Sequence, residues 1–475
     1  MVLLRGDAPQ EDRGWVAPER TPELTAALAA ARRWRADLAT RPIPATQPVG
    51  VGRARLPESL PEQGMPAVDV VEELVDVVEP GLLTIGSPRF FGWVMGGTLP
   101  AALGADWLVS AWDQNAGMRD ATPGVVAVEE VAGQWLLEAL DLPSSSAVGF
   151  VTGCTTANLA GLTAARDALL AARGWDVATQ GVQGAPRLRV LVGAERHGSV
   201  DLALRYLGLG APTPVAADAQ GRMDPDALRA ALGQDDAPTV VCAQAGNIHS
   251  GGFDPFAPIC AAAHDAGAWV HVDGAFGLWA AASPALRHLV AGLADADSWA
   301  TDAHKTLSTP YDSGVAVVRD AGALRRAFGH SADYLLHSQE PDPHELVPEM
   351  SRRARGVPVW AALRSLGRSG LVDLVDRLVR SARGLAMGLA EVPGLTVLND
   401  VVYTQVTVAA VDDETTLAVL ARLHEDGLVY PSASRWHDRA VMRFSVSGYT
   451  TDDVAVAQTI RTVWEAVEAV TVGEG

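Results

Sequence analysis

Four stretches of this sequence carry side chains suited to one reaction site. Lys305 stands in Asp297-Ser-Trp-Ala-Thr-Asp-Ala-His-Lys-Thr-Leu307, where a short apolar run gives way to a polar, Pro-containing turn. A lysine amine in that setting can form an imine with an aldehyde. Asp273 closes the apolar run Ala268–Val272 and is followed by Gly274-Ala275. A carboxylate at the end of a buried strand needs a cationic partner, because burying it alone is costly. A protonated pyridine nitrogen is one such partner; an arginine is another. His197 lies just past the run Leu188–Val192, and its flat ring could stack on a heteroaromatic one. Thr152-Gly153-Cys154-Thr155-Thr156-Ala157-Asn158 joins a strand to a helix, where free amides and the helix dipole favour an anion. Taken singly, each has an ordinary structural reading: a surface lysine, a salt-bridged acid, a hydrogen-bonded loop histidine, a capped helix start.

The elements that must position them read as follows. Short apolar runs at Val148–Val151, Leu188–Val192, Thr213–Ala216, Thr239–Ala243, Ala268–Val272, Ser298–Thr301 and Gly314–Val318 alternate with helical segments at Ala157–Ala172, Asp224–Leu232 and Phe256–Ala266. Such alternation predicts an α/β domain with a mainly parallel, seven-stranded sheet and helices on both faces. Ligands bind at the carboxyl ends of such strands. All four features sit at strand ends and so face one crevice. An anion cradle, a stacking histidine, an acid for a ring nitrogen and an imine-forming lysine together describe a site for pyridoxal 5'-phosphate.

The rest of the chain frames this domain. Residues 1–20 are polar and Pro-rich, an arm. Helices are expected at Thr21–Ala39, Val68–Val78, Leu99–Trp112 and Pro123–Leu140, with an extended Pro-rich stretch over 41–68. Pro88-Arg-Phe-Phe-Gly-Trp-Val-Met-Gly-Gly97 is expected to be a turn with large side chains on display. After Val318 a loop-rich region runs to Pro358. A long helix, Val359–Ala390, then leads to a small α+β unit with strands at Leu395–Leu398, Val401–Ala409 and Ala440–Val446 and helices at Thr415–Asp426 and Thr451–Val470. The expected domains are 1–80, 81–358 and 359–475.

The formal charge of -20 argues against a nucleic-acid or anionic-membrane partner, which would select a basic face. Cys154, Cys242 and Cys260 are too few and too scattered for a disulfide framework or a zinc site, so no metal is expected. No apolar window is long enough to span a membrane and the N-terminus lacks a secretory pattern. The expected location is the cytoplasm.

Phe90-Phe91-Gly-Trp93, Thr152-Gly-Cys-Thr-Thr-Ala-Asn158, His197, His271-Val-Asp273-Gly-Ala275 and Asp302-Ala-His304-Lys305, in this order, resemble the group II pyridoxal-phosphate decarboxylases. The resemblance runs from about residue 70 to the C-terminus. It implies the fold-type I (aspartate aminotransferase-like) architecture and a homodimer with shared active sites. It implies an amino-acid decarboxylase in which Lys305 bonds the cofactor, Asp273 faces the pyridine nitrogen, His197 stacks on the ring and Ala275 packs on its other face. Gly153, Cys154 and Thr155 would hold the phosphate, helped by Asp302 or His304. Asn247, in Gly246-Asn247, falls where the family usually has a Gly-Thr pair near the cofactor. Arg355 and Arg443 could each hold a substrate carboxylate, whereas a solvated or interface role is expected for Arg352 and Arg353. Trp93, with Trp112 and Phe91, could line a pocket for an aromatic or bulky amino acid.

One departure stands out. The stretch His337–Met350 lacks the tyrosine that many family decarboxylases use to protonate Cα, and Tyr334 belongs to the pattern before that loop. His337 or His344 could substitute. The alternative outcomes are aldol-type or other lyase cleavage, oxygen-dependent aldehyde formation and transamination.

Overall fold

The computed structural model describes residues 21–329 and 341–472, and the chain divides into two compact units, Met1–Thr84 and Ile85–Gly475. The arm expected over residues 1–20 lies outside the described residues. In the first unit, α1 (Pro22–Ala36) packs on α3 (Ala67–Val78). The Pro-rich stretch between them is not extended throughout, since it holds the short α2 (Val49–Arg53).

The second unit holds two sheets. In the small one, β1 is Phe90–Phe91. The large sheet is built from β2 (Ala147–Val151), β3 (Arg189–Gly193), β4 (Thr213–Val215), β5 (Thr239–Gln244), β6 (Trp269–Asp273), β7 (Ser298–Asp302) and β8 (Gly314–Val318). Its order is β2-β8-β7-β6-β5-β3-β4. Strands β4, β3, β5, β6 and β7 pair in parallel, and β8 runs antiparallel to both its neighbours. The seven apolar runs of the sequence are these seven strands.

The helices of this unit are α4 (Pro100–Trp112), α5 (Pro123–Ala139), α6 (Cys154–Ala171), α7 (Val177–Gln180), α8 (Gly198–Tyr206), α9 (Pro225–Leu232), α10 (Phe256–Asp265), α11 (Ala321–Phe328), α12 (Gly356–Ala390), α13 (Asp413–Asp426) and α14 (Asp453–Val472). Period-two alternation sends neighbouring strand residues to opposite faces. Val240 and Cys242 of β5 thus join Leu162 of α6 and Leu204 of α8. Val241 and Ala243 instead join Leu228 of α9 and Ile259 of α10. Both faces are covered, which is why the central strands are apolar almost without interruption.

The small sheet has the order β1-β11-β12-β10-β9, with β9 (Thr396–Val397), β10 (Gln405–Ala409), β11 (Tyr430–Trp436) and β12 (Arg439–Ser445). The sequence does not announce β11: Tyr430-Pro-Ser-Ala-Ser-Arg-Trp436 is polar and carries a proline. Pairing with β12, Ser432 opposite Arg443, makes it a strand. The reading of Phe90 and Phe91 as displayed side chains is corrected. Both are fully buried, and Phe91 packs against Phe444 with ring centroids 5.6 Å apart. Three helices also escape the sequence reading, α7, α8 and α11, the last inside the region expected to be loops. The long helix α12 is interrupted at Gly367, whose φ of 62° is the left-handed conformation glycine adopts without strain.

Arg352 is not solvated as expected. It is buried and pairs bidentately with Glu129, at 2.7 and 3.1 Å. Arg353 reaches Asp106 at 2.6 Å. Removing one partner of a buried pair such as Arg352–Glu129 typically costs about 3–5 kcal/mol, so this contact fixes the approach to α12.

Candidate active site

Strand ends β2, β3, β6 and β7 bring together Gly153, His197, Asp273 and Lys305. Asp273 is the last residue of β6 and is 4% exposed. Its Oδ2 accepts from the Asn158 amide at 3.1 Å and the Ser199 hydroxyl at 3.3 Å. Its Oδ1 accepts from the Cys154 thiol at 3.4 Å and the Ala275 N–H at 3.2 Å. All four donors are neutral, and no ion pair to Asp273 is found among the described residues. A buried carboxylate held by neutral donors alone still lacks the cation that would offset its burial.

A chain of hydrogen bonds with one direction supports it. The Trp269 indole N–H donates to Ser298 Oγ at 2.9 Å. Ser298 bonds His271 Nδ1 at 2.8 Å, and His271 Nε2 meets Asn158 Oδ1 at 2.9 Å. Since Asn158 gives its NH2 to Asp273, its carbonyl must accept, which puts the His271 proton on Nε2. The fit between α6 and β6 is close: a Cβ on Gly161 would lie 2.7 Å from the His271 ring.

Burial depresses His271 to about 4. The native histidine therefore stays neutral while the unfolded one takes a proton below about 6.5. The unfolded state then binds more protons as pH falls from about 6.5 to about 4, so stability drops across that window and is unaffected above it. This one group is worth about 2 kcal/mol between pH 7 and pH 5. Urea unfolding at the two pH values should show a smaller acid loss for His271→Gln than for wild type. Equal losses would contradict the assignment.

His197 follows β3 and caps α8, its Nδ1 accepting the Ser199 N–H at 3.2 Å. Ser199 Oγ also lies 2.9 Å from Nδ1, so one serine ties His197 to Asp273. The imidazole is otherwise exposed. Ala275 is partly buried, its N–H on Asp273 and its carbonyl receiving the Asp302 N–H at 2.9 Å.

At the end of β7, Asp302 is buried; its Oδ1 accepts the Cys154 N–H at 2.6 Å and its Oδ2 meets Lys305 Nζ at 2.9 Å. The expectation that Asp302 helps hold a phosphate is corrected by this geometry. An aspartate carboxylate already occupies the first amide of α6, and it would repel a second anion while it anchors the lysine. Burial disfavours the Lys305 ammonium, but the carboxylates, Asp302 above all and then Asp273, more than offset this and raise it above the ordinary lysine range. His304 takes the Ser313 N–H on Nδ1 at 3.2 Å. Its proton therefore sits on Nε2, 3.6 Å from Asp302 Oδ1. Burial, above all, lowers His304, keeping it neutral. Cys154 is buried and its thiol is pushed well up by that burial and by Asp273, so it is no nucleophile. Of the α6 amides, those of Thr155 and Thr156 remain for an anion. Gly314 lets β8 lie against this loop, since a Cβ there would come within 2.5 Å of the Gly153 backbone.

Other expected site residues lie elsewhere. Asn247 is corrected: its Oδ1 accepts the His249 and Ser250 amides at 2.8 and 3.1 Å, and its Nδ2 turns to Glu195. It shapes a loop and does not face the Lys305 cluster. Trp93 is half-exposed and packs toward Phe90 and Tyr430. Arg355 is spent on Asp312, at 2.8 and 3.3 Å. Arg443 differs. It is buried on β12, donates to the Ile248 carbonyl at 3.1 Å, and has no carboxylate partner among the described residues. Burial lowers it to about 10. His344 is buried beside Asp342, while His337 and Tyr334 lie outside the described residues.

Sequence reasoning did not assign Asn158, Ser199 and His271 to the support of Asp273, nor Asp312 to Arg355. The signal for Asn158 is its spacing: it lies one helical turn after Cys154, on the same face of α6.

Comparison with known proteins places these features in context. A family model described as the pyridoxal-dependent decarboxylase conserved domain matches residues 50–410. Tryptophan decarboxylase 1 of Oryza sativa subsp. japonica is 28% identical over 449 residues, covering 87% of this chain and 86% of the rice protein. A crystal structure of Oryza sativa TDC with PLP and tryptamine superposes with a TM-score of 0.89 at 24% identity, covering 97% of this chain and 99% of that one. The structure of Rhodiola rosea 4-hydroxyphenylacetaldehyde synthase gives a TM-score of 0.86 at 21% identity, over 96% of this chain and 99% of the other.

Proposed function

The chain belongs to the pyridoxal-dependent decarboxylase family, and on that premise we propose that it removes the α-carboxyl group of an aromatic amino acid. The observation that carries the reading is Asp273: a buried carboxylate held by four neutral donors, without a cation, near a lysine amine. This donor set fits pyridoxal phosphate. Lys305 would hold its aldehyde carbon, Asp273 its ring nitrogen, His197 and Ala275 the two ring faces, and Gly153 with the Thr155 and Thr156 amides its phosphate. When bound, the protonated pyridine ring draws electrons from the substrate Cα and so lets its carboxylate leave.

The chain's own residues divide the remaining work. Asp273 keeps a positive charge on the ring nitrogen favourable, because neutralising it would leave the carboxylate buried and unpaired. The Asn158–His271–Ser298 chain keeps that carboxylate from rotating. Asp302 orients the Lys305 amine. Arg443, buried with a carbonyl as its acceptor, is the cation suited to an anionic group of the substrate; Arg355, already neutralised, is not. The aromatic substrate class is supported by the tryptophan decarboxylase relative.

The protein is proposed to work as a homodimer in the cytoplasm. Trp107, Leu108 and Trp112 are exposed along α4, an apolar face that a second copy would cover. The three cysteines are unpaired, as in a reducing compartment. Among the described residues no helix is long and apolar enough to cross a membrane.

The deciding experiment feeds a panel of amino acids to the purified holoenzyme and measures carbon dioxide. Release with tryptophan, tyrosine or phenylalanine is expected. Silence across the whole panel would sink the decarboxylase reading, and release only with acidic amino acids would sink the aromatic one.

A further inference from the structure

The turn after Lys305 is closed on itself. Ser308 N–H bonds the Lys305 carbonyl at 2.9 Å, Thr309 N–H the Ala303 carbonyl at 3.1 Å, and Ala303 N–H the Ser313 carbonyl at 3.0 Å. Leu99 N–H caps the Ser308 carbonyl at 2.8 Å. Arg355 clamps Asp312 with two nitrogens. The residue held between these anchors is Tyr311. Its ring lies on His304, centroids 4.2 Å apart, yet it remains 50% exposed. One side is therefore pinned on His304, the residue before the lysine, and the rest of the side chain is open to solvent.

We propose that Tyr311 is the acid that protonates Cα after carbon dioxide leaves, in place of a tyrosine on a separate loop. This rests on the decarboxylase reading above. The Tyr311 O–H bond breaks as a C–H bond forms at Cα, and the phenolate recovers its proton from water. The chain has six tyrosines. Among the described ones, Tyr403 is fully buried with its hydroxyl toward the Phe276 carbonyl, Tyr430 stacks on Phe90, and Tyr206 lies exposed on α8. Tyr449 packs near Gly97. Among the described tyrosines, Tyr403 also reaches this neighbourhood, through Thr306, but it is sealed in the core, whereas Tyr311 lies on His304 and is half-exposed. A phenol ordinarily titrates at about 10, and the part of this side chain packed on His304 raises it further, with Lys305 pulling down and Asp302 pushing up. It is thus protonated at neutral pH, the form a donor needs. A fixed turn also explains how the stretch 341–350 can do without a tyrosine.

The test is Tyr311→Phe in the holoenzyme, with carbon dioxide, amine, aldehyde, ammonia and peroxide measured in parallel. Wild type should give one amine per carbon dioxide and, in heavy water, one deuterium on a single face of Cα. In the variant, carbon dioxide should still appear, while the amine yield per carbon dioxide falls at least tenfold. The deficit should appear in air as aldehyde, ammonia and hydrogen peroxide, dioxygen being the oxidant and water supplying the aldehyde oxygen. Retained cofactor absorbance shows that the variant is folded, and a second variant, Tyr311→His, should restore part of the amine yield. An unchanged amine-to-carbon-dioxide ratio in Tyr311→Phe, or deuterium still on one face, would overturn the proposal. So would a wild type that releases carbon dioxide but makes aldehyde. No carbon dioxide from the wild type would instead remove the decarboxylase reading and this inference with it.

Discussion

Asp273→Asn is expected to lower carbon dioxide release by roughly 10²–10³-fold while the apo protein stays as stable as wild type or becomes slightly more so. The two halves of this expectation have separate causes. Catalysis falls because the charge that favours a cationic ring nitrogen is gone, and removing one aimed electrostatic group in a dry site costs about that factor. Stability holds because Asp273 has no cationic partner among the described residues. The native protein buries a carboxylate on neutral donors alone, and replacing it with a neutral amide removes that desolvation cost. The amide must still accept from Asn158 or Ser199, so part of the gain is offset by one unfavourable NH2 contact. Steady-state rates with urea unfolding of the apo protein check both halves. A rate within tenfold of wild type would show that Asp273 does not govern the ring. A stability loss of several kcal/mol would show that a cation pairs with it after all.

The residues proposed to bear chemistry are those the sequence makes easiest to single out. Lys305, Asp273 and His197 follow apolar runs, and strand ends are the places where a polar side chain must have a reason to be. The seven strands are legible for the same cause: a sheet covered on both faces demands unbroken apolar runs. What escapes is set by tertiary contact. Phe90 and Phe91 look displayed beside Gly92 and Trp93, yet β11 buries them, and β11 is itself invisible because Pro431, Ser432 and Ser434 interrupt its pattern. Arg352 looks like its neighbours Arg353 and Arg355 and differs only in meeting Glu129. Asn247 looks like a ligand and is a loop former. The pairing of Asp302 with Lys305 turns a supposed phosphate ligand into the lysine's anchor. Tyr311 is unremarked in the turn Ser308-Thr-Pro-Tyr-Asp312 until the fold lays its ring on His304.

Lys305→Ala is expected to abolish the absorbance of the cofactor imine and to reduce turnover on the order of 10⁴-fold or more, the scale of losing a group that acts as part of a covalent unit. The companion Lys305→Arg separates charge from bonding. Arginine keeps a cation beside Asp302 and so retains the pairing that burial makes valuable, but its guanidinium stays protonated and forms no stable imine. If Lys305 serves mainly to neutralise Asp302, arginine should preserve most activity and alanine should destabilise the α6 N-terminus, where Asp302 would then face the Cys154 amide and His304 alone. If it bonds the cofactor, both variants lose turnover to a similar extent, and only alanine loses stability in addition. The second pattern is expected, because the Asp302 carboxylate and the Cys154 amide point the amine at the mouth of the strand ends shared with Asp273 and His197. An arginine variant that keeps more than about a tenth of wild-type turnover would assign Lys305 a purely electrostatic role.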